Sequence, residues 1–163
     1  MKELRNLRDL LCHEVQVMYS AEVLAAAGLT RMIDHAHNAE LKHAFEKHRT
    51  ESALQADRLK IVAKELGIDA DGEGNPAIKG LLAEGEKVMA KDADPAALDA
   101  ALIAGAQKIE HYEIAGYGSA VYYARELGLE SVARILDGIL DEEKRSNEVL
   151  NNLAKNLINP KAE

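Results

Sequence analysis

Glutamates that lie within the apolar faces of predicted helices are the residues of this sequence best suited to chemistry. Glu22 lies four residues after Met18 and four before Ala26, inside a stripe where a surface helix would carry no acid. Comparable positions on all four long helical patterns give the candidate metal ligands Glu22, Glu51, Glu110, Glu113 and Glu142. Several ionised carboxylates in one helical core need protons, basic partners or cations to neutralise them. A site for divalent metal ions is therefore the first chemistry to consider.

A weak internal repeat relates these glutamates to one another. The separation from Glu22 to Glu113 equals that from Glu51 to Glu142, so each half carries one glutamate on each of its two helices. With a short turn inside each half, the four carboxylates meet at the middle of a bundle. Considered alone, Glu22 could be an ordinary, partly exposed acid on a helix face. Glu110 and Glu113 could likewise be an ordinary solvent-exposed pair. Because the four carboxylates lie at the same level of the bundle, a site for two iron or manganese ions is favoured over these separate explanations. Both metals accept oxygen ligands and an occasional imidazole.

The identity of the ligands on the second and fourth helices has alternatives. Glu143 competes with Glu142 on the fourth helix. His48 precedes Glu51 in the order His-x-x-Glu, the reverse of the Glu-x-x-His usual in di-iron bundles. His48 is therefore either a ligand or a hydrogen-bonded core histidine.

Three further polar side chains are candidates for supporting roles. Gln55 follows Glu51 by about one helical turn, and Tyr19 and Tyr117 fall within about one turn of the proposed ligands. The tyrosines either pack with their hydroxyl on any polar partner, or hydrogen-bond a ligand carboxylate and relay an electron. Arg58 is the main basic residue near these faces, and its level predicts an ion pair with Glu14.

The apolar spacing predicts an all-α fold that positions these residues. Glycines and Asp94-Pro95 punctuate helical patterns over residues 4–33, 39–66, 78–91, 95–127 and 130–157. We expect one domain, 1–163, built from a first hairpin (3–67), a long crossover with a short helix (68–94) and a second hairpin (95–158). Two short connections and one long crossover are typical of a ferritin-like four-helix bundle.

Composition excludes several other classes of protein. The 163 residues carry 20 Lys and Arg against 28 Asp and Glu, a net charge of −8 that disfavours nucleic-acid binding. A single cysteine, Cys12, leaves no internal disulfide framework. No apolar run approaches the ~18 residues of a membrane span, and the first residues show no signal-peptide core. We therefore expect a cytoplasmic protein without a membrane partner.

Several segments resemble the YciE/YciF-type ferritin-like proteins, bacterial proteins associated with stress responses. The most specific is EHYEIAGYG (110–118), and the others are LLCHEVQVMYSAE (10–22), HRTESALQADRL (48–59), IKGLLAEG (78–85), DAALIAGAQKIEHYEIAGYGSAVYYARELG (99–128) and LDEEKRSNEVLNNLA (140–154). The resemblance implies a ferritin-like bundle, usually paired into a homodimer. It also implies a rubrerythrin-like di-metal centre on Glu22, Glu51, Glu110, Glu113 and either Glu142 or Glu143.

The leading functional hypothesis is a non-haem di-iron or di-manganese protein that reacts with dioxygen or peroxide, or oxidises ferrous iron. Two alternatives stay open: metal binding or sequestration without turnover, and a purely structural helical protein. No nucleophile triad or phosphate loop occurs in the sequence, so an oxidase- or peroxidase-type activity is left open and no catalytic residue is assigned.

Overall fold

Helices make up all the regular structure in the computed structural model, which describes residues 4–162. The five α-helices are α1 (Leu7–His35), α2 (Ala39–Leu66), α3 (Pro76–Met89), α4 (Pro95–Glu126) and α5 (Glu130–Leu153). A π-helical turn, Ala154–Ile158, and a 3₁₀ turn, Asn159–Lys161, follow α5. The predicted all-α class is therefore confirmed.

Local capping chemistry sets where the helices begin and end. The side chain of Asn6 accepts a hydrogen bond from the backbone N–H of Asp9, so α1 begins at Leu7 and not at residue 4. Asn38 caps α2 in the same manner. Gly67 and Gly128 adopt positive φ angles of 74° and 68°, which end α2 and allow the turn between α4 and α5.

The two helical hairpins form the bundle. Helix α1 packs along α2, and α4 packs along α5, while α1 faces α4 and α2 faces α5. The crossover carries α3 over α1 and α4. Gln16 Nε2 and Asn75 Nδ2 tie the crossover to α1, since Gln16 donates to Asp69 O at 2.6 Å and Asn75 donates to Val17 O at 3.1 Å. This is the predicted ferritin-like topology.

A buried polar layer divides the apolar core. One apolar cluster surrounds Leu59 and Leu136, and the other surrounds Phe45 and Leu102. Along α2 and α5, the change from one cluster to the other falls at the segments that carry His48 and Glu143. None of the helices in residues 4–162 is both long enough and apolar enough to cross a membrane.

Candidate metal centre

Each of the four long helices contributes to one buried group of ionisable side chains. We call Glu22, His48, Glu110, Glu113 and Glu143 the carboxylate–histidine group; all of them are buried. Ligand atoms of His48, Glu110, Glu113 and Glu143 lie within 4.8 Å of one another. Helical spacing explains the assembly, because on α4 the two glutamates lie on the same buried face as Ala106 and Tyr117.

His48 lies between two carboxylates of this group. Its Nδ1 lies 2.9 Å from Glu110 Oε1, and its Nε2 lies 3.5 Å from Glu143 Oε2. These are ion-pair distances, but neither approach is aligned as a hydrogen bond, and both carboxylate oxygens are left without an aligned donor. The imidazole therefore lies within ion-pair distance of two carboxylates without an aligned hydrogen bond to either oxygen.

Many of the buried polar atoms here have no hydrogen-bond partner in the described chain. They are one oxygen each of Glu22 and Glu143, both oxygens of Glu110 and Glu113, His48 Nε2, Ser52 Oγ and Gln55 Oε1. Such atoms cost roughly 1–3 kcal/mol each when they are left unsatisfied. Carboxylate oxygens with one imidazole nitrogen are a donor set that iron and manganese accept. These residues therefore fit a metal ion.

Burial and mutual repulsion shift the carboxyl groups toward their neutral form. Burial, with the charge of Glu143 adding to it, raises the pKa of Glu22 to about 8. Burial likewise raises the pKa of Glu110 to about 7, although His48 opposes the shift. The pKa of Glu113 is raised well above its usual value by burial and then by Glu22 and Glu143. At neutral pH, the metal-free group therefore holds protons that a metal ion must displace.

The charge on His48 responds to the same neighbours. Burial alone would lower the pKa of the imidazole, but Glu110 and Glu143 outweigh burial and raise it well above its usual value. Without metal, an imidazolium partly neutralises the carboxylates. A histidine that ligates a metal must be neutral, so metal binding at His48 would also release a proton.

Two of the predicted ligands, Glu51 and Glu142, lie at the edge of the group and not within it. Glu51 is half-buried, with Oε1 3.5 Å from Lys47 Nζ on the same helix. Arg58 binds both oxygens of Glu142, one of them at 3.0 Å. Burial acts to raise the pKa of Glu142, but Arg58 outweighs it and the pKa is lowered. The expected pair of Arg58 with Glu14 is replaced by this contact.

Helix geometry explains why the neighbouring residues occupy the buried positions. Adjacent residues are about 100° apart around a helix. Ser52 and Glu143 lie on the buried stripes of α2 and α5, which turns Glu51 and Glu142 to one side. Ser52 is not among the predicted site residues. Its spacing of seven residues from both Phe45 and Leu59 nevertheless indicates a buried position on α2.

Of the predicted supporting residues, Tyr117 and Gln55 contact the carboxylate–histidine group, and Tyr19 packs against the apolar core. Tyr117 is buried, and its hydroxyl donates to Glu22 Oε1. Gln55 Nε2 donates to Glu143 Oε1 and, at 3.1 Å, to Glu142 Oε2. Tyr19 is half-buried against the apolar core, with Lys60 Nζ 5.9 Å from its ring centre. Tyr117 and Gln55 thus orient carboxylates, whereas Tyr19 packs against the apolar core.

Comparison with known proteins places this chain in a family. The family described as "Domain of unknown function (DUF892)" matches residues 6–163. Protein YciF of Escherichia coli is 35% identical over 161 residues, which cover 98% of this chain and 97% of the relative. The chain belongs to the YciF-type family.

Solved structures of the family agree closely with this YciF-type chain. The crystal structure of the E. coli stress protein YciF matches with a TM-score of 0.91 at 34% identity, covering 96% of this chain and 99% of that one. YcfI of Rhodopseudomonas palustris matches with a TM-score of 0.88 at 39% identity, covering 92% and 96%.

A more distant structure identifies the wider fold of the YciF-type chain. A dodecameric thioferritin, the bacterioferritin-related protein of Bacteroides fragilis, matches with a TM-score of 0.70 at 16% identity, covering 96% of this chain and 90% of that one. At this identity the likeness concerns the fold alone, and that fold is ferritin-like.

Proposed function

We propose that this chain is a non-haem metal–carboxylate protein that binds two iron or manganese ions in the carboxylate–histidine group and reacts with dioxygen or peroxide, or oxidises ferrous iron. The observation that carries the proposal is the set of buried carboxylate oxygens that find no hydrogen-bond partner among residues 4–162. The metal ions would supply the one-electron chemistry that protein side chains lack. The description of the E. coli relative as a stress protein supports a role in stress.

The side chains of the group have distinct roles in this proposal. Glu22, Glu110, Glu113, Glu143 and His48 would bind the ions through oxygen and imidazole nitrogen. Two hydrogen bonds outside the ion shell hold carboxylates in place: Tyr117 orients Glu22, and Gln55 orients Glu143. The apolar clusters on both sides limit the access of water to the layer.

Metal analysis of matched variants tests the proposal. Protein loaded anaerobically with Fe²⁺ or Mn²⁺ and then desalted should retain about two ions per chain, as in carboxylate bundles of this type. Glu113→Ala should lose most of that metal because Glu113 is buried in the group, whereas Glu51→Ala should retain it because Glu51 lies at the edge. Wild-type protein that retains no metal would overturn the proposal.

A second candidate is a protein that binds metal without turnover or has a purely structural role. The raised pKa values of Glu22 and Glu110 favour it, because protons can neutralise the core when no metal is bound. A structural role has also been suggested for YcfI of R. palustris. Metal retention without consumption of dioxygen or peroxide would indicate sequestration, and no retention would indicate the structural role.

Assembly and location complete the proposal. We propose a homodimer in the cytoplasm, in line with the family resemblance. Exposed apolar side chains on the first hairpin, Val23, Leu54 and Ile61, are available to such a contact. Leu54 and Ile61 are seven residues apart and so lie on one side of α2.

A further inference from the structure

A cavity between α2 and α5 reaches the carboxylate–histidine group from the surface. Its volume is about 50 Å³, and its polar lining consists of Lys47, His48, Glu51, Glu142, Arg145 and Ser146. A single water needs roughly 10–15 Å³, so the cavity has room for a few waters.

Exposure decreases in steps along this cavity. The side chain of Lys47 is 67% exposed, those of Glu51 and Glu142 are 28% and 24% exposed, and that of His48 is 7% exposed. The half-buried carboxylates thus lie between the solvent and the buried group. At the inner wall, His48 has an Nε2 atom without an aligned hydrogen-bond partner in the described chain.

The two carboxylates differ in how firmly they are held. Arg58 binds both oxygens of Glu142, and Gln55 links Glu142 to Glu143 of the buried group. Among residues 4–162, the only ion pair of Glu51 is the 3.5 Å contact to Lys47, and a pair this exposed contributes little free energy. The oxygens of Glu51 are consequently available to a passing ion.

We propose that this cavity is the route by which divalent cations reach the carboxylate–histidine group, and that Glu51 is the first carboxylate to bind them. The inference rests on the proposed function. The net charge of −8 attracts cations to the molecule. In the cavity wall, Lys47 and Arg145 balance the charges of Glu51 and Glu142, so the capture of an ion there rests on the weakly held oxygens of Glu51. The ion passes from hydrated solution to Glu51 and then to the imidazole and carboxylates beyond it.

Stopped-flow absorbance during Co²⁺ uptake by the metal-free protein tests this route. Ala44→Phe places a ring in the wall of the cavity, and Ala53→Phe is its control at an exposed position of the same helix. We expect Ala44→Phe to slow uptake severalfold because the ring narrows the cavity, with the final cobalt content per chain unchanged. Ala53→Phe should take up cobalt at the wild-type rate.

Glu51→Gln provides a second test that adds no bulk to the core. It should also slow uptake without lowering the final cobalt content, whereas Glu46→Gln, at an exposed position on α2, should leave the rate unchanged. If Glu51→Gln takes up cobalt as fast as the wild type, the proposed route is wrong even if Ala44→Phe fails to fold. If the wild type binds no cobalt at all, the proposed function itself fails, so the two failures are distinguishable.

Discussion

Glu113 has a buried carboxyl group with no hydrogen bond at either oxygen in the described chain. Its pKa is raised well above the usual value because burial and the nearby charges of Glu22 and Glu143 disfavour the ionised form. We expect metal-free Glu113→Gln to have a higher free energy of unfolding than the wild type at pH 8, by roughly 1 kcal/mol or more. The neutral amide removes the cost of ionising this group. Urea unfolding of the two metal-free proteins measures the difference.

The same comparison at pH 5 is the internal control for Glu113. The pKa of Glu113 is raised in the folded protein, so at this lower pH the cost of burying an ionisable carboxyl is smaller and the difference from Glu113→Gln should shrink. Glu51→Gln should change the stability little at either pH, since Glu51 is half-buried beside an exposed lysine. A loss of stability in Glu113→Gln at pH 8 would contradict the view that the ionised carboxylate destabilises the metal-free fold.

The sequence pattern was sufficient to predict that Glu22, Glu110 and Glu113 lie on buried helix faces. It did not identify which residues of the second and fourth long helices are buried beside them. The internal repeat pointed to Glu51 and Glu142, each one residue before the buried position. The separation of Ser52 from Glu143 also equals that of Glu22 from Glu113. The repeat therefore relates the buried positions of α2 and α5, but a serine occupies the one on α2, so a search for repeated glutamates misses it. Residue chemistry favoured the glutamates, whereas apolar periodicity alone would have favoured Ser52 and Glu143.

Among the connections between elements, the turn between α1 and α2 is stabilised from a distant helix. Asp99 of α4 is buried, and its two oxygens accept hydrogen bonds from the backbone N–H groups of His37 and Asn38, both at 2.8 Å. Asp99→Ala leaves these donors without their charged acceptor. We expect it to lower the free energy of unfolding by about 2 kcal/mol or more. Chemical denaturation measures the loss.

Asp94 provides the matched control for Asp99. It precedes α4 and is exposed, and its side chain makes no capping hydrogen bond. Asp94→Ala should therefore cost much less than Asp99→Ala. Equal losses in the two variants would contradict a specific role for Asp99 in holding the α1–α2 turn.

Helix positions were predictable from local signals, whereas contacts between helices were not. The predicted second helix, 39–66, has the observed bounds of α2, because Asn38 and Gly67 are strong capping residues. The crossover helix begins at Pro76, two residues before the predicted start, because Asn75 caps it and accepts from Ile78 N. The local sequence pattern predicted a continuous helix over 130–157 and gave no sign of the π-helical turn after α5. The hydrogen bonds that Asp99 accepts from the α1–α2 turn join distant parts of the chain. Local sequence patterns do not encode such pairs.

At the scale of the whole molecule, the buried group couples folding to pH. The pKa of Glu22 is raised to about 8 and that of Glu110 to about 7, both above the ordinary value of 4.5. The folded metal-free protein thus binds more protons than the unfolded chain between about pH 4.5 and pH 8, and its free energy of unfolding falls as the pH rises through that window. The raised pKa of His48 has the same sign, since its stabilising charge is lost as the pH rises.

Bound metal should offset the fall in the free energy of unfolding, and the offset should become larger as the pH rises. The ions require deprotonated ligands, so protons compete with them at low pH, and the stabilisation by bound metal increases with affinity. We expect the increase in melting temperature caused by saturating Mn²⁺ to be small near pH 5 and to become larger toward pH 8. Thermal unfolding with and without Mn²⁺ across this range measures the increase. Glu113→Gln should reduce it throughout, because one ligand is lost from the group. An increase that is independent of pH and unchanged in Glu113→Gln would mean that manganese binds outside the carboxylate–histidine group.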